Sequence, residues 1–179
     1  MHITFSTNYT LILAVLVLLL GKFLVSRIRF LRDFNIPEPV AGGLLIAAVI
    51  YILHATMGWS FGFESSLQTA FMLAFFASIG LSANFAKLRQ GGIGLVIFLC
   101  VIVVFILVQN AVGIGLAKAL GLDPLVGLVA GSITLVGGHG TAGAWGSVLE
   151  QQHGLTGATT LGMACATFGL VIGGIMGGP

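Results

Sequence analysis

The sequence predicts an all-α integral membrane protein, and three observations carry that reading. Hydrophobic residues make up 58% of the 179 positions and charged residues only 7%, too little charge for a soluble domain of this length. The seven basic residues and five acids lie almost wholly at the ends of apolar runs. The runs themselves are long: about five read as membrane spans, and a sixth, from Asp123 to Glu150, is broken in its middle. The expected architecture is a single membrane domain over residues 1–179.

The first span covers residues 10–25, rich in Leu and Val. The cluster Lys22, Arg27, Arg29 and Arg32 follows it, so by the positive-inside rule that end is cytoplasmic and the N-terminus lies outside. The chain has no basic segment ahead of this run and no small-residue cleavage pattern after it, so the run reads as a retained span, not a removed signal peptide. The second span, 39–53, opens on Pro37-Glu38-Pro39. Pro39 costs nothing in a first helical turn, and Glu38 there complements the helix dipole; an ion-pathway carboxylate is the alternative.

Residues 54–69 read as an outer loop, anchored by Trp59 at the interface and free of Lys and Arg. The third span, 70–85, ends in small and polar residues. Ser78, Ser82 and Asn84 there need partners, from packing or from a solute. Lys87 and Arg89 mark the cytoplasmic side again. The fourth span, 93–117, holds Gln109 and Asn110 toward its outer end, two adjacent amides that should face protein or water. Lys118 ends that span against the rule. The last span, 159–176, spaces Gly169, Gly173 and Gly177 four apart, a close-packing face, and Gly177-Gly178-Pro179 ends the helix.

Between the last two spans, Asp123 caps a helix and Pro124 takes its first position. The limb from Leu125 to Val136 reaches roughly 18 Å, short of a hydrocarbon core of about 30 Å. Gly137-Gly138 then breaks it, with His139 at the break, and a limb from Ala142 to Leu149 leads back to Glu150, which belongs in water. Two readings stand on these residues. One is a re-entrant hairpin over about 124–150, its open backbone tolerated only beside protein or a wet cavity. The other is one continuous span of roughly 25 residues, with His139 bonded to a neighbouring helix.

Catalysis is not expected. The four histidines are dispersed, no nucleophile sits beside a base and an acid, and the glycine run matches neither a dinucleotide nor a phosphate loop. Cys100 and Cys165 lie in apolar runs and read as buried thiols. No cofactor and no nucleic-acid partner is expected. Transport is the chemistry that fits. Broken helices offer carbonyls to a small cation and helix N-termini to anionic groups. Ser132, Thr134, Gly137, Gly138, His139, Gly140 and Thr141 are the candidate binding residues, with Ser78, Ser82, Asn84, Gln109 and Asn110 as further lining. Sodium prefers hard oxygens, so it would be held by carbonyls near Gly137 and Gly138, with His139 holding the loop or contacting a carboxylate.

Several stretches resemble the bacterial sodium/glutamate symporter family: residues 36–44, 72–81, 109–115, 131–141 and 163–170, in order along essentially the whole chain. The resemblance implies a sodium-coupled glutamate carrier of the bacterial inner membrane, with no enzymatic activity. The fold it implies has two inverted halves of five spans, each with a re-entrant loop, and the resembling proteins work as dimers. It favours the hairpin and puts residues 137–141 at the transport site. Only the first half is matched, so the expectation is a homodimer or a pairing with a second half. The alternatives are a symporter for another organic anion, or a non-transporting subunit or remnant.

Overall fold

The computed structural model describes residues 2–178, apart from the side chain of Lys87. Pro179 and the Lys87 side chain, both used in the reading above, lie outside the described residues. In order the elements are β1 (His2–Phe5), α1 (Thr7–Arg27), α2 (Arg29–Asp33), α3 (Glu38–Met57), β2 (Ser60–Phe63), α4 (Ser66–Ser82), α5 (Phe85–Gln90), α6 (Gly92–Ala119), α7 (Pro124–Leu128), a π-helical turn (Val129–Ile133), α8 (Gly138–His153) and α9 (Ala158–Gly177).

Among the described residues the protein is all-α apart from one short strand pair. Among the described residues, four helices are long and apolar enough to cross a membrane: α1, α3, α6 and α9. They contain the spans expected at 10–25, 39–53, 93–117 and 159–176. The span expected at 70–85 falls on α4, which starts at Ser66 and has 17 residues. At about 1.5 Å per residue it reaches roughly 25 Å. Helix α6 shows why these segments suit lipid. Ile97, Phe98, Phe105 and Leu107 are all exposed, and its apolar residues surround the whole circumference. A helix apolar all round is stable only where its environment is apolar too.

The backbone divides into two units, Met1–Leu73 with Leu170–Pro179, and Ala74–Gly169. In the first, α1 and α3 run antiparallel and touch backbone to backbone. A Cβ added to Gly42 would lie 3.0 Å from the Gly21 nitrogen and 3.1 Å from its Cα. Small residues permit this approach, and dispersion between the closely packed chains holds it. Ile36, Val40 and Ala41 form a small core at the start of α3, with Leu31, Phe34 and Val171 against it.

The strand pair was not legible in the sequence. β1 and β2 run parallel, with His2 opposite Ser60 and Phe5 opposite Phe63. Phe5 stacks on Phe63 at 5.5 Å between ring centroids. The loop expected at 54–69 is correspondingly shorter, because α3 continues to Met57 and α4 begins at Ser66. The pairing holds the N-terminal segment and the loop after α3 at one end of the α1–α3 pair, opposite to the Arg27–Arg32 cluster.

Candidate functional site

The second unit contains the broken stretch, and its geometry begins at Asp123. The Asp123 carboxylate accepts the Leu125 N–H at 2.8 Å, and Pro124 fills the next position, so α7 starts where the residues require. α7 then lies against α6 at a second glycine contact. A Cβ on Gly127 would sit 2.7 Å from the Ile114 nitrogen and closer still to the Gly113 carbonyl.

The first break comes earlier than the glycine pair at 137–138. α7 passes into the π-helical turn, and Gly131 leaves helical geometry altogether, at φ −96° and ψ −123°. The Thr134 side chain is 2% exposed, and its hydroxyl donates to the Val129 carbonyl at 2.7 Å. It satisfies an acceptor at the distorted turn, which the dry surroundings demand. Ser132 contributes its carbonyl, which accepts the N–H groups of Val136 and Gly137, both at 3.2 Å.

The second break lies at the expected glycines. Val136 and Gly137 form a turn, and Gly138 has φ +74°, a left-handed conformation that favours glycine. α8 starts there. The Thr141 hydroxyl reaches back across the break, to the Ile133 carbonyl at 2.7 Å and the Gly138 carbonyl at 3.1 Å. It ties together chain segments eight residues apart. Gly137 has no room for a side chain beside it: a Cβ would lie 2.6 Å from that of Thr141. Gly140 faces the edge-packed pair Phe75 and Phe76, with the Phe76 ring 3.2 Å from where its Cβ would be.

The His139 ring is tied to α9. Its Nε2 lies 2.9 Å from the Thr167 Oγ1, and that hydroxyl in turn donates to the Met163 carbonyl at 2.8 Å. A hydroxyl has one proton to donate. With that proton on Met163, an N–H at Nε2 would be the ring's bond to Thr167.

The return limb packs on α9 through small residues. Ala142 and Ala158 are fully enclosed, and a Cβ on Gly146 would lie 2.6 Å from the Thr159 Cα. The Glu150 carboxylate accepts the Thr159 N–H at 3.0 Å, capping the start of α9. Glu150 was expected in water, but it is half-buried because this cap holds it. Val129, Leu149 and Ala158 share one small core, with Leu125 and Leu155 against it. Leu125 and Leu149 would be roughly 36 Å apart on one straight helix. Their common core therefore means that the stretch folds back on itself.

The remaining candidates divide. Ser78 and Ser82 are exposed and donate to carbonyls of their own helix, Phe75 and Ile79. The Asn84 side chain accepts the Ala86 N–H at 2.9 Å and so starts α5. Asn110, by contrast, faces the first break with its side chain, and Gln109 meets it with its backbone carbonyl. A Cβ on Gly131 would lie 3.7 Å from the Asn110 Oδ1 and 3.9 Å from the Gln109 carbonyl. Thr167 and Glu150 were missed by the sequence reading; a lone threonine within an apolar run was the only signal for the first. Among the described residues no cluster of His, Cys, Asp and Glu could hold a transition metal. A cavity of about 660 Å³ beside α1 and α3 is lined by side chains such as Leu13, Val17, Ile46 and Phe61, with only Thr10 polar. It offers a lipid-like surface and no recognition chemistry.

Comparison with known proteins places the chain. The family model described as sodium/glutamate symporter matches residues 3–179. The chain belongs to the sodium/glutamate symporter family. It is 57% identical over 173 residues to the sodium/glutamate symporter of Escherichia coli, covering 97% of this chain and 43% of that protein. It is 56% identical over 179 residues to the sodium/glutamate symporter of Haemophilus influenzae, covering 100% of this chain and 44% of that one. The chain thus spans less than half the length of the curated relatives it matches. No solved structure matches it at a significant level. With four long apolar helices and this family, it is a multi-pass membrane protein.

Proposed function

We propose that this chain is the N-terminal half of a sodium-coupled glutamate uptake carrier, with the folded-back stretch as its share of the transport site. One observation carries the reading. Within a family of sodium/glutamate symporters, the chain interrupts its helix at Gly131 and again at Gly137–Gly138, inside an otherwise apolar run. Such interruptions are costly in lipid unless protein or a solute satisfies the freed backbone.

Ser132, Thr134, Gly137, Gly138, His139, Gly140 and Thr141 then form the half's binding loop. The first N–H groups of α8 have no helical acceptor and suit a carboxylate. Carbonyls along the break suit sodium, whose hard charge prefers oxygen. His139 holds the loop to α9 through Thr167. The two carboxylates of glutamate also need basic or donor groups that this loop does not supply alone, so the carrier works as a homodimer or with a second half. The stretch re-enters the bilayer from the outer face of the bacterial inner membrane. The N-terminus is outside, which the basic cluster after α1 and the β1–β2 pairing both support.

Uptake of labelled glutamate into proteoliposomes tests this. The chain is reconstituted alone and with a C-terminal half, under an inward sodium or potassium gradient. Sodium-driven accumulation in the paired sample is expected. Its absence in every sample, with both halves inserted, would overturn the reading.

A further inference from the structure

The amides on α6 carry a more specific assignment, which rests on the transport reading above. Gln109 Oε1 and Asn110 Oδ1 are both buried, and neither meets a protein hydrogen-bond donor. A buried acceptor left unpaired costs about 1–3 kcal/mol. Native proteins keep few such atoms, and each asks for a specific explanation, an ion among them. Here two lie on consecutive residues, both are acceptors, and both are neutral.

The position of Asn110 is fixed from two sides. Gly113 and Gly127 bring α6 and α7 into backbone contact. One turn further along each helix, Asn110 meets Gly131, the residue at which the backbone leaves helical geometry. The small residue at 131 matters, because a Cβ there would stand 3.7 Å from the Asn110 oxygen. The Asn110 side-chain oxygen and a disrupted backbone therefore meet at the α6–α7 contact, with the unpaired Gln109 oxygen on the adjoining residue.

We propose that the coupling sodium binds here, held by Asn110 Oδ1 and Gln109 Oε1 together with backbone carbonyls of the Val129–Ile133 turn. A single hydrogen-bond donor would satisfy one amide oxygen; a small cation satisfies both and takes further oxygens from the turn. The absence of a carboxylate among these donors suits a monovalent ion, whose one charge needs no full neutralisation. The site lies at the first break, not at the carbonyls near Gly137 and Gly138. Sodium would then draw α6 and the turn together and set the loop that follows, which couples the ion to the solute at 137–141.

The test uses Asn110→Leu and Gln109→Leu in the chain paired with a C-terminal half, and Asn110→Asp as the variant that keeps an oxygen. Each leucine variant removes an unpaired polar atom, so folding is not expected to suffer. The half-saturating sodium concentration for glutamate uptake should rise by about tenfold or more, roughly what one lost ligand bond is worth. The glutamate KM at saturating sodium should stay near wild type. Asn110→Asp should retain sodium dependence. In parallel, sodium chloride against choline chloride should raise the thermal stability of the purified wild-type chain, and Asn110→Leu should abolish that increment. An unchanged sodium requirement in both leucine variants would overturn the assignment, as would a shift confined to the glutamate KM, which would put the substrate ammonium there. If the wild-type pair fails to transport while sodium still stabilises the chain through Asn110, the carrier reading falls and the cation site stands.

Discussion

Thr141→Val probes the tie across the second break. Valine is nearly the same size as threonine, so the change leaves no cavity. It removes the proton shared between the Ile133 carbonyl at 2.7 Å and the Gly138 carbonyl at 3.1 Å. It also sets a methyl where the hydroxyl stood, and a carbon cannot approach an oxygen that closely without a shift of about half an ångström. A lost hydrogen bond costs about 1 kcal/mol net, and up to about 3 if the acceptor is buried without replacement. Interhelical bonds in membranes average nearer 0.6. The Thr141 side chain is half-buried and its main acceptor lies in a distorted turn, so about 1–2 kcal/mol is expected. For a chain of this length that lowers Tm by about 2–8 °C. Thermal unfolding in detergent measures it, with Thr141→Ser as the variant that restores the hydroxyl. If valine and serine variants both melt with wild type, the hydroxyl does not hold the break and the description of this loop fails.

Three further outcomes follow from the same geometry. Gly138→Val should insert normally but abolish glutamate uptake by the paired halves, because φ +74° is strained for a β-branched residue; quantitative membrane fractionation and uptake report the two effects separately. Gly127→Leu should force α7 off α6 and cost about 1–3 kcal/mol in thermal unfolding, whereas Gly115→Leu, at a helical glycine with open space around it, should be tolerated. His139→Gln should keep part of the uptake, since its amide can still donate to Thr167, while His139→Leu should behave like Thr167→Val, and the double variant should lose no more than either alone.

The sequence was informative where a residue has one physical use. Asp123-Pro124 reads as a helix start because both residues suit the first turn, and the carboxylate sits on the Leu125 N–H as that requires. Gly137-Gly138 reads as a break, and Gly138 turns left-handed there. The apolar runs mark α1, α3, α6 and α9 because charge is too costly inside them. Gly131 was not legible. A single glycine in an apolar run is ordinary in membrane helices, and its departure depends on α7 docking against Gly113, a contact 14 residues distant from Gly127. The β1–β2 pair was missed for a similar reason, since its partners lie on either side of two long helices. Ser78 and Ser82 show how one residue type serves more than one use. Small polar residues suggest a lining face, but a serine in a helix can donate to its own backbone, and both do.

The proposed transport site requires that residues 136–142 form a solute-exposed break inside the membrane. Single cysteines placed from Val136 to Ala142, in a background with Cys100 and Cys165 replaced, can be labelled with a small aqueous thiol reagent in membranes carrying both halves. Labelling is expected at several of these positions, slowed by sodium and slowed further by glutamate in the presence of sodium. If none of the seven cysteines reacts from either side and neither solute alters the labelling, the stretch is ordinary packed protein and the transport site lies elsewhere.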